Sequence, residues 1–300
     1  MGYLRPLAKA SPDLSPLRAF KRLLVLGLLA RPLNLLILVA TGGLAAYLLY
    51  RAYPNAPMPW REVFWLTLSA VLIMAGGYWL NDLYDVEIDL INRPWRAARV
   101  RFLTRRCLSK AVLAVWLLAM LCTIPLWWTF KVLHAVVILS LFWYNRYGKR
   151  LGLLGNLLVA VLTALFPWEV MLLTARTAYA VDWMIPLAAV FNFAREVIKD
   201  AEDEAGDLLH GVRSLPSRLS PELWRKVLLM GWMSLIVFVY VPAGVKYILW
   251  GVVPVEYLLI VTMGSALPLL WGLFRLSDYG LLSRLLKVAM GGGLFALAFL

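Results

Sequence analysis

Charge is what this sequence has least of: Asp, Glu, Lys and Arg make up only 16% of its 300 residues, against about 25% in an ordinary soluble domain. Histidine and cysteine are limited to His134, His210, Cys107 and Cys122, and none of these stands at CxxC or other metal-ligand spacing. That excludes a zinc module and a disulfide framework and leaves the cysteines as packing residues. A Gly-rich phosphate loop, a Ser/His/Asp set, a low-complexity tract and an appended soluble domain are equally missing. Apolar residues fill the space instead, at 62% of the chain with a mean hydropathy of +0.77. A soluble fold of this length has too little interior for that much apolar surface, so the solvent is a lipid bilayer.

A helix crossing the hydrocarbon layer needs about 20 mostly apolar residues. Nine segments meet this approximately: 33–50, 63–81, 108–128, 132–145, 152–174, 183–199, 224–245, 250–274 and 281–300. The sequence therefore predicts an all-α, multi-span transmembrane bundle, with residues 33–300 as a single membrane domain. The fourth segment is short and the break before it, at 128–131, is weak, so eight spans is the alternative. Residues 1–32 carry Arg5, Lys9, Arg18, Lys21, Arg22 and Arg31 among leucines, as an interfacial amphipathic segment does. No cleaved signal peptide is read there.

The net charge of +13 invites a nucleic-acid reading, but the cations sit between apolar stretches rather than on one soluble face. With nine spans, 25 of the 30 Lys and Arg residues fall on one side, leaving Arg51, Arg61, Lys131, Arg176 and Lys246 on the other. Positive charge stays inside, which gives a protein of the cell membrane with a cytoplasmic N-terminus and an external C-terminus.

Carboxylates are costly at membrane depth, so clusters of them mark functional places. Two clusters exist. Asp82, Asp85 and Asp89 follow the second span, and Asp200, Asp203 and Asp207 repeat the same 0, 3, 7 spacing after the sixth. On a continuous helix that spacing puts three carboxylates on one face within roughly 60°. Like charges so placed repel, and a cation relieves the repulsion. Oxygen ligands without His or Cys favour Mg2+, which binds through a few carboxylates plus substrate phosphates. All six aspartates are candidate metal ligands, and Asp82, Asp85, Asp89, Asp203 and Asp207 are candidate catalytic residues. The neighbouring Arg93, Arg96, Lys149, Arg150, Arg195 and Lys199 suit a diphosphate. Asn81, Arg93, Arg96, Tyr144, Lys149, Arg195 and Lys199 are the candidate substrate-binding set. Tyr84, Trp143, Tyr144, Trp168 and Phe193 supply aromatic faces for a prenyl groove.

Asn81-Asp82-xx-Asp85-xxx-Asp89 with Asn92-Arg93-Pro94 resembles the first signature of the UbiA superfamily of intramembrane prenyltransferases, and Asp203-xxx-Asp207 resembles the second. The resemblance implies nine helices around a central cavity, a cytoplasmic cap, a side opening to lipid, and acids that bind a magnesium diphosphate. Arg195-Glu196-xx-Lys199-Asp200-xx-Asp203-xxx-Asp207, with Tyr144-Asn145 to Lys149 and Gly155-Asn156, is similar to the digeranylgeranylglyceryl phosphate synthase branch. This implies transfer of a prenyl group, geranylgeranyl in that branch, from an allylic diphosphate to the glycerol hydroxyl of geranylgeranylglyceryl phosphate, with Arg146, Lys149, Arg150, Arg195 and Lys199 as the cationic pocket for the acceptor phosphate. The alternative acceptor is an aromatic quinone or pigment precursor such as 4-hydroxybenzoate. A transporter is the alternative from another class. It is disfavoured because the acids cluster at span ends on one side, without inverted halves.

Other polar residues have plainer readings. Glu87 and Glu202 point away from the triads and are solvated. His134, in a short outer connection, and His210 are structural. Glu169 either polarises an acceptor hydroxyl or bonds within the bundle, and Asn34 and Asn156 either touch substrate or bond between helices. Gly76, Gly77 and Gly291 to Gly293 are close-packing positions. An all-apolar cavity wall carries no ruler for prenyl length. The cation split predicts that single cysteines at Arg96, Lys149 and Arg213 label from the cytoplasm and those at Lys131 and Arg176 from outside; labelling of 96 and 176 from one side overturns the topology.

Overall fold

In the computed structural model, residues 16–300 are described, apart from 210, 212 and 213 and the side chains of Pro16, Arg18, Lys149 and Arg150. Residues 1–15 of the basic leader, with His210 and Arg213, therefore lie outside the described residues. Every regular element among those described is helical. In chain order these are α1 (Pro16–Leu29), α2 (Pro32–Ala52), α3 (Trp60–Tyr84), α4 (Val86–Asn92), α5 (Pro94–Leu103), α6 (Arg105–Cys122), α7 (Trp128–Arg146), α8 (Leu153–Thr174), α9 (Tyr179–Glu202), α10 (Glu204–Leu209), α11 (Leu215–Arg218), α12 (Pro221–Phe238), α13 (Val241–Trp250), α14 (Val255–Val261), α15 (Leu267–Leu273) and α16 (Tyr279–Ala296).

Among the described residues, six helical stretches are long and apolar enough to cross a membrane: α2, α3, α8, α12 with α13, α14 with α15, and α16 running on to Phe299. The other three expected segments are helical but more polar. Helix α6 carries Arg105, Arg106 and Lys110, α7 carries Lys131, His134 and Arg146, and α9 carries Arg195, Glu196, Lys199 and Asp200. The connection before α7 lies at 123–127, upstream of where the weak break suggests, because Trp128 to Lys131 already form the first turn. His134 consequently sits inside α7 and is buried, not in a loop.

The helices α2, α3, α7, α8 and α9 share polar ties at one end. Arg31, just before α2, reaches Asp82 on α3; Asn81 on α3 donates to Asn145 on α7 at 3.2 Å; Asn156 on α8 donates to Asp200 on α9 at 2.8 Å. The short helices α4, α5, α10 and α11 gather at this end, against α3 and α9. Helix α1 lies beside α5, burying Leu29 with Val86, Val100, Leu103 and Leu108 while Leu17, Phe20, Leu23, Leu24 and Leu28 face outward. At the opposite end Arg51 donates to Ala298 O, Arg176 to Pro57 O and Lys246 to Leu300 O. Three of the five minority cations thus lie away from the acids.

Outward faces are apolar. Leu113, Leu117, Leu121 and Ile124 form an exposed row along and just beyond α6, and Trp60, Trp127, Trp128 and Trp250 stand exposed at helix ends away from the acids. That is the distribution of a lipid-facing belt with interfacial aromatics.

Backbone proximity is extreme where the π-helical turn Thr262–Ala266 between α14 and α15 crosses α16. A Cβ on Gly292 would stand 2.4 Å from Gly264 carbonyl atoms, whereas one on Gly291 meets nothing within 4 Å. Gly292 is a close-packing residue as expected and Gly291 is not. Replacing Gly292 by Ala should destabilise the detergent-solubilised protein by about 1–3 kcal/mol through overpacking. The Gly291→Ala change should be neutral or stabilising by up to about 1 kcal/mol. Thermal unfolding of both variants decides, and equal melting temperatures would contradict the packing.

Candidate active site

Each acidic motif spans a helix break, not one continuous face. Helix α3 stops at Tyr84 and α4 begins at Val86, with Asp85 between them at φ −90°, ψ 3°. Helix α9 stops at Glu202 and α10 begins at Glu204, with Asp203 at φ −94°, ψ 0°. Both middle aspartates occupy the same sparsely populated bridge region. Backbone bonds run across each break, Asp89 N to Asp85 O at 2.7 Å and Asp207 N to Asp203 O at 3.1 Å.

The two motifs meet. Arg93, buried after α4, pairs through Nη1 with Asp203 and, at 3.9 Å, with Asp89; its Nη2 lies 3.3 Å from Glu202. Asn92 accepts from Gly206 N at 3.0 Å and donates to Asp203 O at 2.9 Å. A Cβ on Gly206 would fall 2.6 Å from the Asn92 side chain, so only glycine admits this contact. Glu202, expected to be solvated, is a partner of Arg93; Glu87 is exposed and pairs with Arg105 at 3.1 Å.

Asp82 and Asp89 are almost fully buried. Asp82 Oδ1 receives Arg31 Nη2 at 3.0 Å, while its Oδ2 is buried without a hydrogen-bond partner. Arg96 lies 3.8 Å from Asp82 and 3.7 Å from Asp89. Burial pushes the Asp89 carboxyl up to about 6, against the pull of Arg96, with the Asp85 and Asp82 charges adding to the rise. Arg31 was read only as part of the basic leader. It takes a left-handed backbone, φ 56°, immediately before Pro32, a strained state costing about 1–2 kcal/mol. The strain is held by three contacts: Asp82, Asn81 Oδ1 at 3.2 Å, and the Tyr78 ring with its centroid 4.4 Å away.

Beneath this layer opens a cavity of roughly 220 Å3. Its walls come from successive turns of α2, α3, α7, α8 and α9, and Lys287 and Met290 of α16 close it. Asn81, Tyr144, Arg195 and Lys199 line its polar end, as four of the expected substrate contacts, but none of the six aspartates does. Arg31, Asn145, Glu196 and Lys287 join that end unforeseen, and Asn34 joins it in line with one of its two expected roles. Glu196 is buried between Arg195 at 2.7 Å and Lys199 at 3.3 Å. A charge inside a mostly apolar helix was the available signal for Glu196 and Lys287. Arg146, an expected cation of the pocket, is exposed and donates to Tyr147 at 3.1 Å. Lys149 and Arg150 fall outside the described side chains. Of the expected aromatic lining only Tyr144 contributes; Tyr84, Trp143 and Trp168 are exposed, and Tyr78 and Phe166 take their place. Asn156 bonds Asp200 between helices, and Asn34 both lines the cavity and donates to Tyr78 at 2.9 Å.

The cavity's far end is also polar. Ser69 donates to Ala119 O at 2.9 Å, so the 2.7 Å contact between Ser69 Oγ and His134 Nδ1 carries the imidazole hydrogen. His134 Nε2 lies 3.3 Å from Glu169 Oε2. Glu169 thus bonds within the bundle, about 20 Å of helix rise from Asn156 at the level of the acids, too far to polarise a hydroxyl there.

Among the described residues no three Asp, Glu, His or Cys side chains converge as a ready metal cluster. Arginines hold the acids: Arg31, Arg93 and Arg96 between them contact Asp82, Asp89, Glu202 and Asp203.

Comparison with known proteins gives the family. The model of the UbiA prenyltransferase family matches residues 43–290. Digeranylgeranylglyceryl phosphate synthase of Sulfurisphaera tokodaii is 33% identical over 50% of this chain and 55% of its own length, and that of Sulfolobus acidocaldarius 37% over 52% and 58%. In these two the chain spans little more than half the relative. With the synthase of Metallosphaera sedula the identity is 32% over 75% of this chain and 80% of the relative. A solved structure described as giving insights into digeranylgeranylglyceryl phosphate synthase in membranes superposes with a TM-score of 0.64 at 21% identity, covering 93% of this chain and 98% of that one; it shares the fold. With both acidic motifs inside the matched region, the chain belongs to the UbiA prenyltransferase family.

Proposed function

We propose that this protein transfers a geranylgeranyl group from its allylic diphosphate to the glycerol hydroxyl of geranylgeranylglyceryl phosphate, forming an ether. The observation that carries this is the layering of the site. An acid-rich layer joined by Arg93 lies over a layer where Arg195 and Lys199 pair with Glu196 and Arg31 and Lys287 line the same end of the cavity, and beneath that the cavity is mostly apolar. The names of the relatives point the same way.

The residues fit a divalent metal. The outer layer has more carboxylates than arginines, all its donors are hard oxygens, and Asp82 Oδ2 is a buried acceptor without a partner. Asp82, Asp85, Asp89, Asp200, Asp203 and Asp207 would hold Mg2+ ions, which when bound neutralise charge developing on a departing diphosphate. The chain's own part is binding and orientation. Arg93 and Arg96 move from carboxylates toward diphosphate oxygens, and Arg195 and Lys199 receive the acceptor phosphate, whose charge of nearly two exceeds what one carboxylate acceptor brings. Allylic C1 parts from the diphosphate oxygen, which keeps the electron pair. The glycerol oxygen bonds C1 and its proton passes to the released diphosphate. The apolar walls exclude competing water. The acids face the cytoplasm, residues 33–300 form one membrane domain of nine spans, and the basic N-terminal segment, described from residue 16, lies at the interface.

Two outcomes test this. Asp85→Ala and Asp203→Ala should each lower turnover by at least about a hundredfold, the scale of one lost electrostatic element, in folded protein, and chelation should abolish it; near-normal activity of either variant sinks the two-motif site.

Lys199→Ala and Lys287→Ala should each weaken the phosphate-bearing acceptor by about 1.5–3 kcal/mol, the range of a charge-assisted bond, read as KM against a panel of acceptors. Ready prenylation of 4-hydroxybenzoate with the glycerophosphate lipid ignored would refute the acceptor.

A further inference from the structure

The polar network at the cavity's far end is unused by this chemistry, and its position gives it a task. Ser69, His134 and Glu169 come from three helices, α3, α7 and α8, and all three are almost fully buried. Their hydrogen bonds form a closed line from Ala119 O through Ser69 and His134 to Glu169. His134 and Glu169 face the same cavity whose other end is lined by Asn81 and Lys199. On α3, Ser69 lies thirteen residues before Asp82, and on α8, Glu169 lies thirteen after Asn156. At 1.5 Å per residue both separations are about 20 Å. With carbon–carbon bonds near 1.5 Å, one extended four-carbon isoprene repeat advances about 5 Å, so about four repeats fill that depth.

We propose that the Ser69–His134–Glu169 network is the floor of the prenyl tunnel and sets the length of donor this protein accepts at four isoprene units. The proposal rests on the prenyl-transfer reading above and deepens it. A floor of leucine or methionine would yield by rotamer change. Here the imidazole is held at both nitrogens, so it keeps its place. A fifth isoprene unit would have to break those bonds in a site too apolar to replace them. The wall one helical turn above the floor carries Ile73 and Val137, and the hydroxyls of Thr41 and Thr163 on the same wall are turned to their own helix backbones, so a four-unit chain meets a mostly apolar surface until it reaches His134.

The test measures kcat/KM of the purified full-length protein for allylic diphosphates of three, four and five isoprene units, with the acceptor held constant. Wild type should prefer four units over five by at least about tenfold, since even one excess methylene is discriminated on that scale. His134→Ala should bring the five-unit donor to within about threefold of the four-unit one. Val137→Phe, which raises the floor by one turn without touching the network, should shift preference to three units by about tenfold. Neither residue is placed in the catalytic machinery, and a merely structural role for the network would lower activity toward all donors alike. Unchanged ratios in the folded variants overturn the proposal. If His134→Ala does not fold, Val137→Phe still decides, because an unaltered preference there overturns it equally. Wild-type protein that turns over no allylic diphosphate of any length overturns the prenyl-transfer reading itself.

Discussion

The contact on which the site depends is that of Arg93 with carboxylates from both acidic motifs. Two acid-rich helix ends facing each other at the edge of a low-dielectric bundle would push apart. A guanidinium is suited to bridge them because it is planar, permanently charged and offers several donors in a fixed fork. Asn92, its neighbour, adds a second tie that is not charged, bonding the backbone of Asp203 and of Gly206. The distance between the motifs is thereby held where α4 meets α5 and α9 meets α10, at the same end where Asp82 and Asp200 are tied to neighbouring helices.

That arrangement explains why charged groups are tolerated so deep in an otherwise apolar protein. A buried charge is affordable only with a partner, and Asp82 has Arg31 while Glu196 has Arg195 and Lys199. Breaking one pair strands the other member, so each is more costly to remove than to keep. The strained backbone of Arg31 belongs to the same pattern, since its left-handed conformation is kept where three side-chain contacts over-determine it.

Much of this was legible in one dimension. Hydropathy alone separates lipid-facing helices from everything else, and spacing alone singles out Asp82, Asp85, Asp89, Asp200, Asp203 and Asp207, because carboxylates are too costly in apolar surroundings to be there by accident. The cations beside them followed by proximity along the chain, which served for Arg93, Arg96, Arg195 and Lys199. It misplaced Arg146, whose helix end turns it outward. It also gave His134 to a loop, because a break between two apolar helices has no strong marker when the intervening residues, Trp127 and Trp128, suit either state.

The sequence by itself thus determined the solvent, the helical class, the family and the two acidic motifs, all properties that depend on residue type and short-range spacing. Only the tertiary structure decided that Arg31 and Lys287, more than 250 residues apart, face one cavity. It alone showed that the motifs bend at Asp85 and Asp203 where a continuous face was expected. It also showed that His134 and Glu169 stand at the far end of the cavity. The physical reason is common to all three: which side chain answers a buried charge or closes a cavity is set by how helices distant in sequence pack, and no local pattern records that packing.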